Sequence, residues 1–231
     1  MGTARTLVGW LCASALAGCT TGSSTDPRTD AADLEAAQNT NLPPPPPNGT
    51  CALIQRGTLG EAQDADIGFG NGADYPMGNT AYSWTGVSPY DHWSAYRFDL
   101  AAIPANATVV LGIFSSYVQW NEHSATVRAH RIVGPWDEAT ATWRTFTANG
   151  TLTNWDPAVL ASAEGSGVGF RSFDVTGLVQ QWQAGAAANH GLLLEEDPVS
   201  LHSFFTSEAN PVNIRPSLYV CWIPAPACGQ D

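Results

Sequence analysis

Short segments in which polar and apolar residues alternate recur between turn-forming residues from Cys51 almost to the end of the chain. A period of two is typical of strands that bury one face in a core. Because almost no helical periodicity separates the segments, they predict an all-β fold, an antiparallel β-sandwich of the jelly-roll-like kind. The segments are 80–86, 94–100, 108–119, 125–133, 170–175, 191–196, 202–208 and 216–222.

One stretch departs from this pattern and predicts a short helix over 176–184. Its apolar residues Leu178, Val179 and Trp182 share one face of a helix but not of a strand. Gly185 follows at the position where a glycine often ends a helix. In a sandwich, we expect such a helix to cover an open end of the core.

Two further contacts are predicted, one between strands and one between side chains. The runs 108–119 and 125–133 are joined by a short polar connection, which makes them a candidate β-hairpin. Arg215 directly precedes a proline, and we expect it to form a structural ion pair with Glu208.

The N-terminus has the features of an export signal. Arg5 precedes the apolar run 7–16, which is too short to span a bilayer and leads into Leu-Ala-Gly-Cys at 16–19. This tetrapeptide is similar to a bacterial lipobox, which predicts that residues 1–18 are a signal peptide and that Cys19 is acylated. The alternative is a plain secretory signal in which Cys19 has no role. The predicted location is the bacterial cell envelope, with a lipid anchor in the outer membrane or at the cell surface.

Composition then divides the remainder of the chain. Residues 19–50 contain few apolar side chains and five consecutive prolines at 43–47, which predicts a disordered linker with a stiff end. The folded domain is predicted to cover 51–223, and residues 224–231 form a C-terminal tail. The linker would hold the domain away from the membrane.

Three cysteines remain after the signal peptide and Cys19. In an oxidising compartment, two of them are expected to pair. A disulfide between Cys51 and Cys221 would join the two ends of the domain and close a long loop, which stabilises most in the entropic account. The alternative, Cys221 with Cys228, closes only a short proline-rich loop.

The charge of the chain excludes one class of partner. The net charge is −12, and all nine basic residues are arginine. Because phosphate-rich polymers and anionic membrane surfaces are repelled by an acidic protein, we expect no nucleic-acid partner and membrane contact only through the lipid anchor.

Several segments, taken in order, carry a resemblance to a known family. The chain resembles the DNRLRE domain, also classed as carbohydrate-binding module family 96, over about 51–223. The resemblance implies a β-sandwich that binds polysaccharide, and it implies that Trp136, Trp143 and Trp182 belong to the core. The segments are Asp64–Asp66, Tyr96–Leu100, Ile103–Pro104, Ala107–Val109, His130–Ile132, Pro135–Glu138, Thr142–Trp143, Phe173–Thr176 with Leu178, Val179 and Trp182, Asn189–Leu192, Ser207–Glu208 and Arg215–Leu218.

A glycan site needs exposed rings for stacking and polar groups at its rim. Aromatic residues beside Asp, Asn or His in turns meet this need, and their rings could instead fold back onto the edge of the core. The predicted ligand-binding residues are Trp84, Tyr90, His92, Trp93, Trp120 and Trp155.

Calcium requires hard oxygen ligands, which an acidic, glycine-rich stretch could supply. Asp64, Asp66 and Asp74 are the candidate ligands of a structural calcium ion, and Glu195–Asp197 form a second acidic loop. Solvated acidic loops without an ion are the alternative. No other cofactor is expected.

The chain has none of the common catalytic motifs, such as H-E-x-x-H, G-x-S-x-G or a P-loop. The predicted function is therefore non-catalytic: a cell-surface lipoprotein that binds a neutral or weakly charged polysaccharide through a β-sandwich module. The alternative is a structural or adhesion module that contacts other envelope or fibre proteins. A divergent enzyme is a third hypothesis.

Overall fold

Antiparallel strands are the main secondary structure in the computed structural model, which describes residues 39, 42–70, 73–87, 90–197 and 200–225. Two short α-helices, α1 (Trp143–Phe146) and α2 (Thr176–Gln183), and a 3-10 turn at Val212–Ile214 lie between them. The strands are β1 (Thr50–Ile54), β2 (Ala62–Gly68), β3 (Tyr82–Val87), β4 (Asp91–Phe98), β5 (Thr108–Asn121), β6 (Ala125–Ile132), β7 (Trp155–Gly165), β8 (Gly169–Asp174), β9 (Leu192–Glu196), β10 (Leu201–Phe205) and β11 (Ser217–Ile223).

One continuous sheet curls into two facing layers. Its hydrogen-bonded order is β1–β11–β5–β10–β3–β4–β9–β6–β7, with β8 beside β5 and β2 beside β4. Strands β1, β11, β5 and β8 form one layer, and β2, β4, β9, β6 and β7 form the other, because buried side chains from both groups meet in one core. Strands β10 and β3 connect the layers. The predicted all-β sandwich is confirmed.

The core between the layers centres on Phe114 of β5. Its ring lies 4.9 Å from that of Tyr96 and 5.9 Å from that of Phe98, both on β4 of the opposite layer. Phe173 of β8 stacks on it at 5.7 Å. Because each ring removes a large apolar area from water, this group contributes much of the free energy that holds the layers together.

The predicted hairpin between 108–119 and 125–133 is wrong. Ser115 of β5 has a strand partner on each side, in β11 and in β8, and β6 pairs with β7 and β9 in the other layer. The polar connection after β5 therefore carries the chain from one layer to the other. Both edges of β5 and of β6 are occupied by other strands, which local alternation cannot reveal.

Helix α2 lies against β5, where the sequence predicted a helix. Leu178, Val179 and Trp182 are buried, and Gly185 ends the helix with a positive φ of 67°. The helix approaches so closely that a Cβ atom at Gly112 would stand 2.9 Å from the Val179 side chain. Glycine at position 112 therefore allows the helix to close this side of the core.

A second, smaller core lies on the outer face of the layer that contains β2, β4, β9 and β6. Leu193 of β9 packs there beneath Trp136 and Phe146, which the chain between β6 and β7 supplies. The burial expected for Trp136 and Trp182 is confirmed, whereas Trp143 is only partly buried. This core gives the layer a cover of its own on the side away from the main core.

The two ends of the domain are joined covalently. Cys51 of β1 and Cys221 of β11 are directly paired across the strands and form a disulfide that closes a separation of 170 residues. The predicted pairing is confirmed. The rival partner, Cys228, lies outside the described residues, as does most of the predicted tail 224–231.

The predicted signal peptide 1–18 and the predicted acylation site Cys19 also lie outside the described residues, as does most of the predicted linker 19–50. The described end of that linker touches the domain, since the Tyr219 hydroxyl donates to the Pro43 carbonyl at 3.2 Å. Asn39 donates to Ser115 Oγ at 2.7 Å. No helix within the described residues is long and apolar enough to cross a bilayer.

Candidate functional site

The aromatic residues predicted to bind a ligand do not form one surface. Ring contacts join Trp84 to Trp120 and Trp93 to Trp155, and none of the described ring contacts links one pair to the other. Tyr90 contacts Phe69 instead, with centroids 6.2 Å apart. Trp84 and Trp93 also lie inside β3 and β4 and not in turns.

The first group lies on the outer surface of β3, β10 and β5. Ser203 of β10 is paired with Trp84 on one side and with Trp120 on the other. The two indoles meet above it edge to face, with centroids 5.7 Å apart. Tyr82, two residues before Trp84 on the same side of β3, meets Trp84 edge to face at 5.8 Å. We call Tyr82, Trp84 and Trp120 the aromatic face.

All three rings of the aromatic face are partly open to solvent. Tyr82 is 43% exposed, and the two indoles are half-buried. Further aromatic residues continue the row on the same side of the sheet, with Phe205 of β10 opposite Tyr82 and Tyr117 of β5 close to Phe205 at 5.9 Å. That end is covered by the chain after β10, so Tyr82, Trp84 and Trp120 remain the open part.

A polar layer lies directly beneath the aromatic face. Between Tyr82 and Trp84 the alternation turns Ser83 inward, where its hydroxyl bonds to that of Ser94 at 2.8 Å. The amide of Trp84 donates to the buried carboxylate of Asp66 at 3.0 Å. Because these inner groups are hydrogen-bonded to one another, β3 is held in one register and presents its rings outward.

The second indole pair is part of the smaller core. Trp93 of β4 and Trp155 of β7 lie 4.5 Å apart and pack, partly buried, against the cluster that contains Leu193. These two rings are on the outer side of the layer opposite β5. They therefore support the fold, and the predicted aromatic residues do not share one groove.

His92 is turned toward a carboxylate and not toward the aromatic face. Its Nδ1 lies 2.9 Å from Oδ1 of Asp66, which is buried. Asp66 thus joins His92 to the backbone of Trp84 by its two oxygens. The imidazole has a positioning role at the edge of the polar layer.

The predicted calcium ligands do not converge. Asp66 is bonded to His92, and Asp74 forms an ion pair with Arg144. Of these three, Asp64 alone lies in a group of carboxylates among the described residues. The predicted set of Asp64, Asp66 and Asp74 is therefore wrong. Asp64 and Asp66 lie on β2, whereas Asp74 lies in a later turn and pairs with Arg144, so closeness in sequence did not bring the three carboxylates together.

Asp64 instead meets Glu138 and Glu208, and we call these three residues the acidic cluster. One oxygen of each lies within 4.8 Å of the others. Asp64 comes from β2, Glu138 from the turn before α1 and Glu208 from the turn after β10. The amide of Asp64 donates to Glu138 at 3.0 Å, which holds the two segments together.

Asp64 is the buried member of the acidic cluster. Its Oδ2 accepts from the amide of Ser207 at 2.8 Å, whereas its Oδ1 has no hydrogen-bond partner among the described residues. The pKa of Asp64 is raised to about 8, mainly by burial and secondarily by the nearby charge of Glu208.

One arginine contacts the cluster from the side. The guanidinium of Arg56 donates to both oxygens of Glu138, at 2.8 and 2.7 Å, and also pairs with Glu208. The predicted ion pair between Arg215 and Glu208 is wrong, because Arg215 donates to the backbone carbonyls of Ala209 and Arg56 at 2.6 and 3.0 Å. Arg56 takes the place that the sequence assigned to Arg215.

A cavity of about 390 Å³ adjoins the acidic cluster. Its wall includes both glutamates and the turn that contains Asn79. A Cβ atom at Gly78 would stand 2.0 Å from the carbonyl oxygen of Glu138, so the turn lies directly against the cluster. The two glutamates therefore face the cavity, and Asn79 places a further polar side chain on its wall.

The second acidic loop is divided between the two sides of β9. Glu195 and Asp197 both pair with Arg128, while Glu196 points inward and accepts from His202 at 2.6 Å. The imidazole of His130, whose Nε2 lies 3.7 Å from a Glu195 oxygen, and then the Arg128 contacts lower the pKa of Glu195, and Arg128 lowers that of Asp197. Burial raises the pKa of Glu196.

No known protein-family profile matches the chain, and a search of curated proteins finds no match. The resemblance to the DNRLRE domain is therefore carried by the quoted segments alone. Two features of the structure, the aromatic face and the acidic cluster, are the candidate functional sites.

Proposed function

We propose that the domain is a non-catalytic polysaccharide-binding module and that its glycan lies on the aromatic face. The observation that carries the proposal is the open, edge-to-face arrangement of Trp84 and Trp120 with Tyr82 beside them. Sugar rings have apolar C–H faces that stack on such rings, and their hydroxyls bond to polar neighbours. The hydrogen-bonded layer below keeps the rings in place before a ligand arrives, which lowers the entropic cost of binding.

The ligand is a neutral or weakly charged glycan. Each arginine of the described residues already contacts a carboxylate, an amide or a backbone carbonyl, so no cluster of unpaired guanidinium groups is available for a polyanion. The contacts are those of Arg56, Arg97, Arg128, Arg131, Arg144, Arg171 and Arg215. The net charge of −12 acts in the same sense, and it disfavours nucleic acid as well.

A lipid on Cys19 would anchor the chain to the bacterial cell envelope, and the linker would present the domain to glycans outside. The quoted segments that resemble the DNRLRE domain, or carbohydrate-binding module family 96, support the same reading. Such a module would bring its cell close to a polysaccharide without cleaving it.

The test is a glycan array probed with the purified chain and three single variants. Trp84→Ala and Trp120→Ala each remove one ring of the aromatic face. Tyr75→Ala is the matched control, because Tyr75 is 67% exposed and lies outside this face.

We expect the parent and Tyr75→Ala to bind the same neutral polysaccharides. Each tryptophan variant should bind roughly fivefold or more weakly, which corresponds to about 1 kcal/mol for a lost stacking contact. Thermal unfolding of each variant verifies that it is folded. A parent that binds no glycan would overturn the proposal and favour a module that contacts other envelope proteins.

A further inference from the structure

The acidic cluster has the composition of a cation site. Calcium takes six to eight oxygen ligands at about 2.3–2.6 Å, so any two of them lie no more than about 5 Å apart. Oxygens of Asp64, Glu138 and Glu208 satisfy this limit, since they lie within 4.8 Å of one another. The group contains carboxylates alone, which suits a hard cation and not zinc or copper.

A second observation points to a missing ligand. Asp64 is fully buried, and its Oδ2 is satisfied by the Ser207 amide. Its Oδ1 has no hydrogen-bond partner among the described residues. A buried, unpaired carboxylate oxygen costs free energy and is rare in folded proteins. A cation among the three carboxylates would give this oxygen the partner that the protein does not supply.

Arg56 does not balance the cluster by itself. It brings one positive charge to three carboxylates, and its hydrogen bonds reach Glu138 and Glu208 but not Asp64. A carboxylate has about four lone-pair sites, so both glutamates can accept from Arg56 and still bind an ion. The remaining negative charge faces the cavity.

The cavity supplies room for the rest of a coordination shell. Its volume of about 390 Å³ holds several water molecules, and Asn79 lines it beside the two glutamates. Calcium sites commonly combine carboxylates with an amide oxygen and water. Magnesium suits this set less well, because it demands near-ideal octahedral geometry at shorter distances.

We propose that Asp64, Glu138 and Glu208 bind a calcium ion at the wall of this cavity, with Asn79 and water available to complete the shell. The ion would tie β2, the turn before α1 and the turn after β10 to one another. Because only the folded chain brings these three segments together, the ion would stabilise the fold by an amount that rises with the logarithm of the Ca²⁺ concentration above the dissociation constant. The site is independent of the aromatic face.

The test measures calcium binding to the full chain after treatment with a chelator. Isothermal titration with Ca²⁺, and separately with Mg²⁺, gives the affinity and the number of ions. Thermal unfolding in Ca²⁺ and in EDTA gives the effect on stability. The variants are Asp64→Asn and Glu208→Gln. The matched control is Glu61→Gln, because the Glu61 carboxylate is 74% exposed and lies 3.6 Å from Arg56 outside the cluster.

We expect the parent and Glu61→Gln to bind one Ca²⁺ more tightly than Mg²⁺ and to melt at a higher temperature in Ca²⁺ than in EDTA. Both cluster variants should bind Ca²⁺ at least tenfold more weakly and lose the rise in melting temperature. If Asp64→Asn prevents folding because Asp64 is buried, Glu208→Gln still tests the site, because Glu208 is partly exposed.

Three results would overturn the site. The first is that the parent does not bind Ca²⁺ and melts at the same temperature in Ca²⁺ and in EDTA. A proton on Asp64, and not a cation, would then link this carboxyl group to the two glutamates. Another is undiminished Ca²⁺ binding by both cluster variants, which would place the ion elsewhere. The third is a loss of binding in Glu61→Gln equal to that in Glu208→Gln, which would indicate diffuse attraction by surface charge. The glycan array reports separately on the aromatic face.

Discussion

Trp84 and Trp120 come from strands that do not pair with each other, yet their rings meet above the single strand between them. This is possible because the residue between them is Ser203, whose small side chain accepts a hydrogen bond from Gln119 at 2.7 Å. A larger residue there would separate the indoles. The arrangement converts two distant positions of the sequence into one stacking surface.

Replacing Ser203 with leucine should therefore damage the aromatic face from below. The added side chain would stand between the indoles and also break the bond from Gln119, so we expect glycan affinity to fall about fivefold or more. Ser203→Ala is the control, since it keeps the space between the rings. Affinity measured by titration calorimetry should be lost in the leucine variant alone, and equal losses in both would show that ring spacing is not the cause.

Trp93→Ala should affect stability and not binding. Trp93 packs with Trp155 on the second core, so its removal leaves a cavity and should lower the free energy of unfolding by about 2–4 kcal/mol. Urea denaturation measures this change. Glycan affinity should remain within about twofold of the parent, and a large loss of affinity in a folded Trp93→Ala protein would move the site to the other layer.

Helix α2 should be required for stability through its buried face. Leu178→Ala is expected to lower the free energy of unfolding by about 2–5 kcal/mol, because a fully buried leucine is replaced by a cavity. Gln181→Ala, on the exposed side of the same helix, should change it by less than about 0.5 kcal/mol. Comparable losses in the two variants would contradict the role of the helix as a cover for the core.

The disulfide should contribute strongly to stability. Cys51→Ser together with Cys221→Ser opens a covalent loop that spans 170 residues of sequence. Removing such a constraint is expected to cost about 2–5 kcal/mol. Denaturation of the parent with and without a reducing agent should give the same difference, while the double variant should show no response to the reductant.

The Arg128 pairs should make stability depend on pH. The pKa values of Glu195 and Asp197 are lowered in the folded chain, so their contribution is present above the ordinary carboxyl pKa of about 4 and is lost as pH falls through the lowered values. Arg128→Gln should thus destabilise by up to about 1 kcal/mol at pH 7, because the carboxylates are partly exposed, and by progressively less as the pH falls from 7 to 3 and below through the lowered pKa values. A difference that stays constant between these pH values would argue against the ion pairs as its source.

Local patterns were sufficient to predict most of the fold. Alternation identified eight of the eleven described strands and missed β1, β2 and β7, helical spacing identified α2, and counting the cysteines after Cys19 favoured the Cys51–Cys221 pair. The first two inferences use residues that are close together in sequence, and the third chooses between only two possible partners for Cys221. The hairpin after β5 failed because strand partners are chosen by burial across the whole sheet, which a short connection does not determine.

The sites depended on contacts that the sequence does not display. Tyr82 was missed, although it precedes Trp84 by two residues in an alternating strand. In β3 the inward side is polar and the outward side is aromatic, which reverses the usual pattern of a strand that covers a core. Glu138 lies 74 residues after Asp64 and was missed as a partner for that reason. Both Glu138 and Glu208 stand in segments that carry the family resemblance, and that coincidence was the available signal.

The central claim is that Trp84 and Trp120 touch the glycan, and indole N–H resonances test it most directly. Uniformly ¹⁵N-labelled protein is titrated with a neutral polysaccharide selected on the array, and the signals are assigned with Trp→Phe variants. We expect the Nε1–H signals of Trp84 and Trp120 to shift in a saturable manner, while those of the buried Trp136 and Trp182 stay in place. Shifts confined to Trp93 and Trp155, or none at either indole of the aromatic face, would contradict the claim.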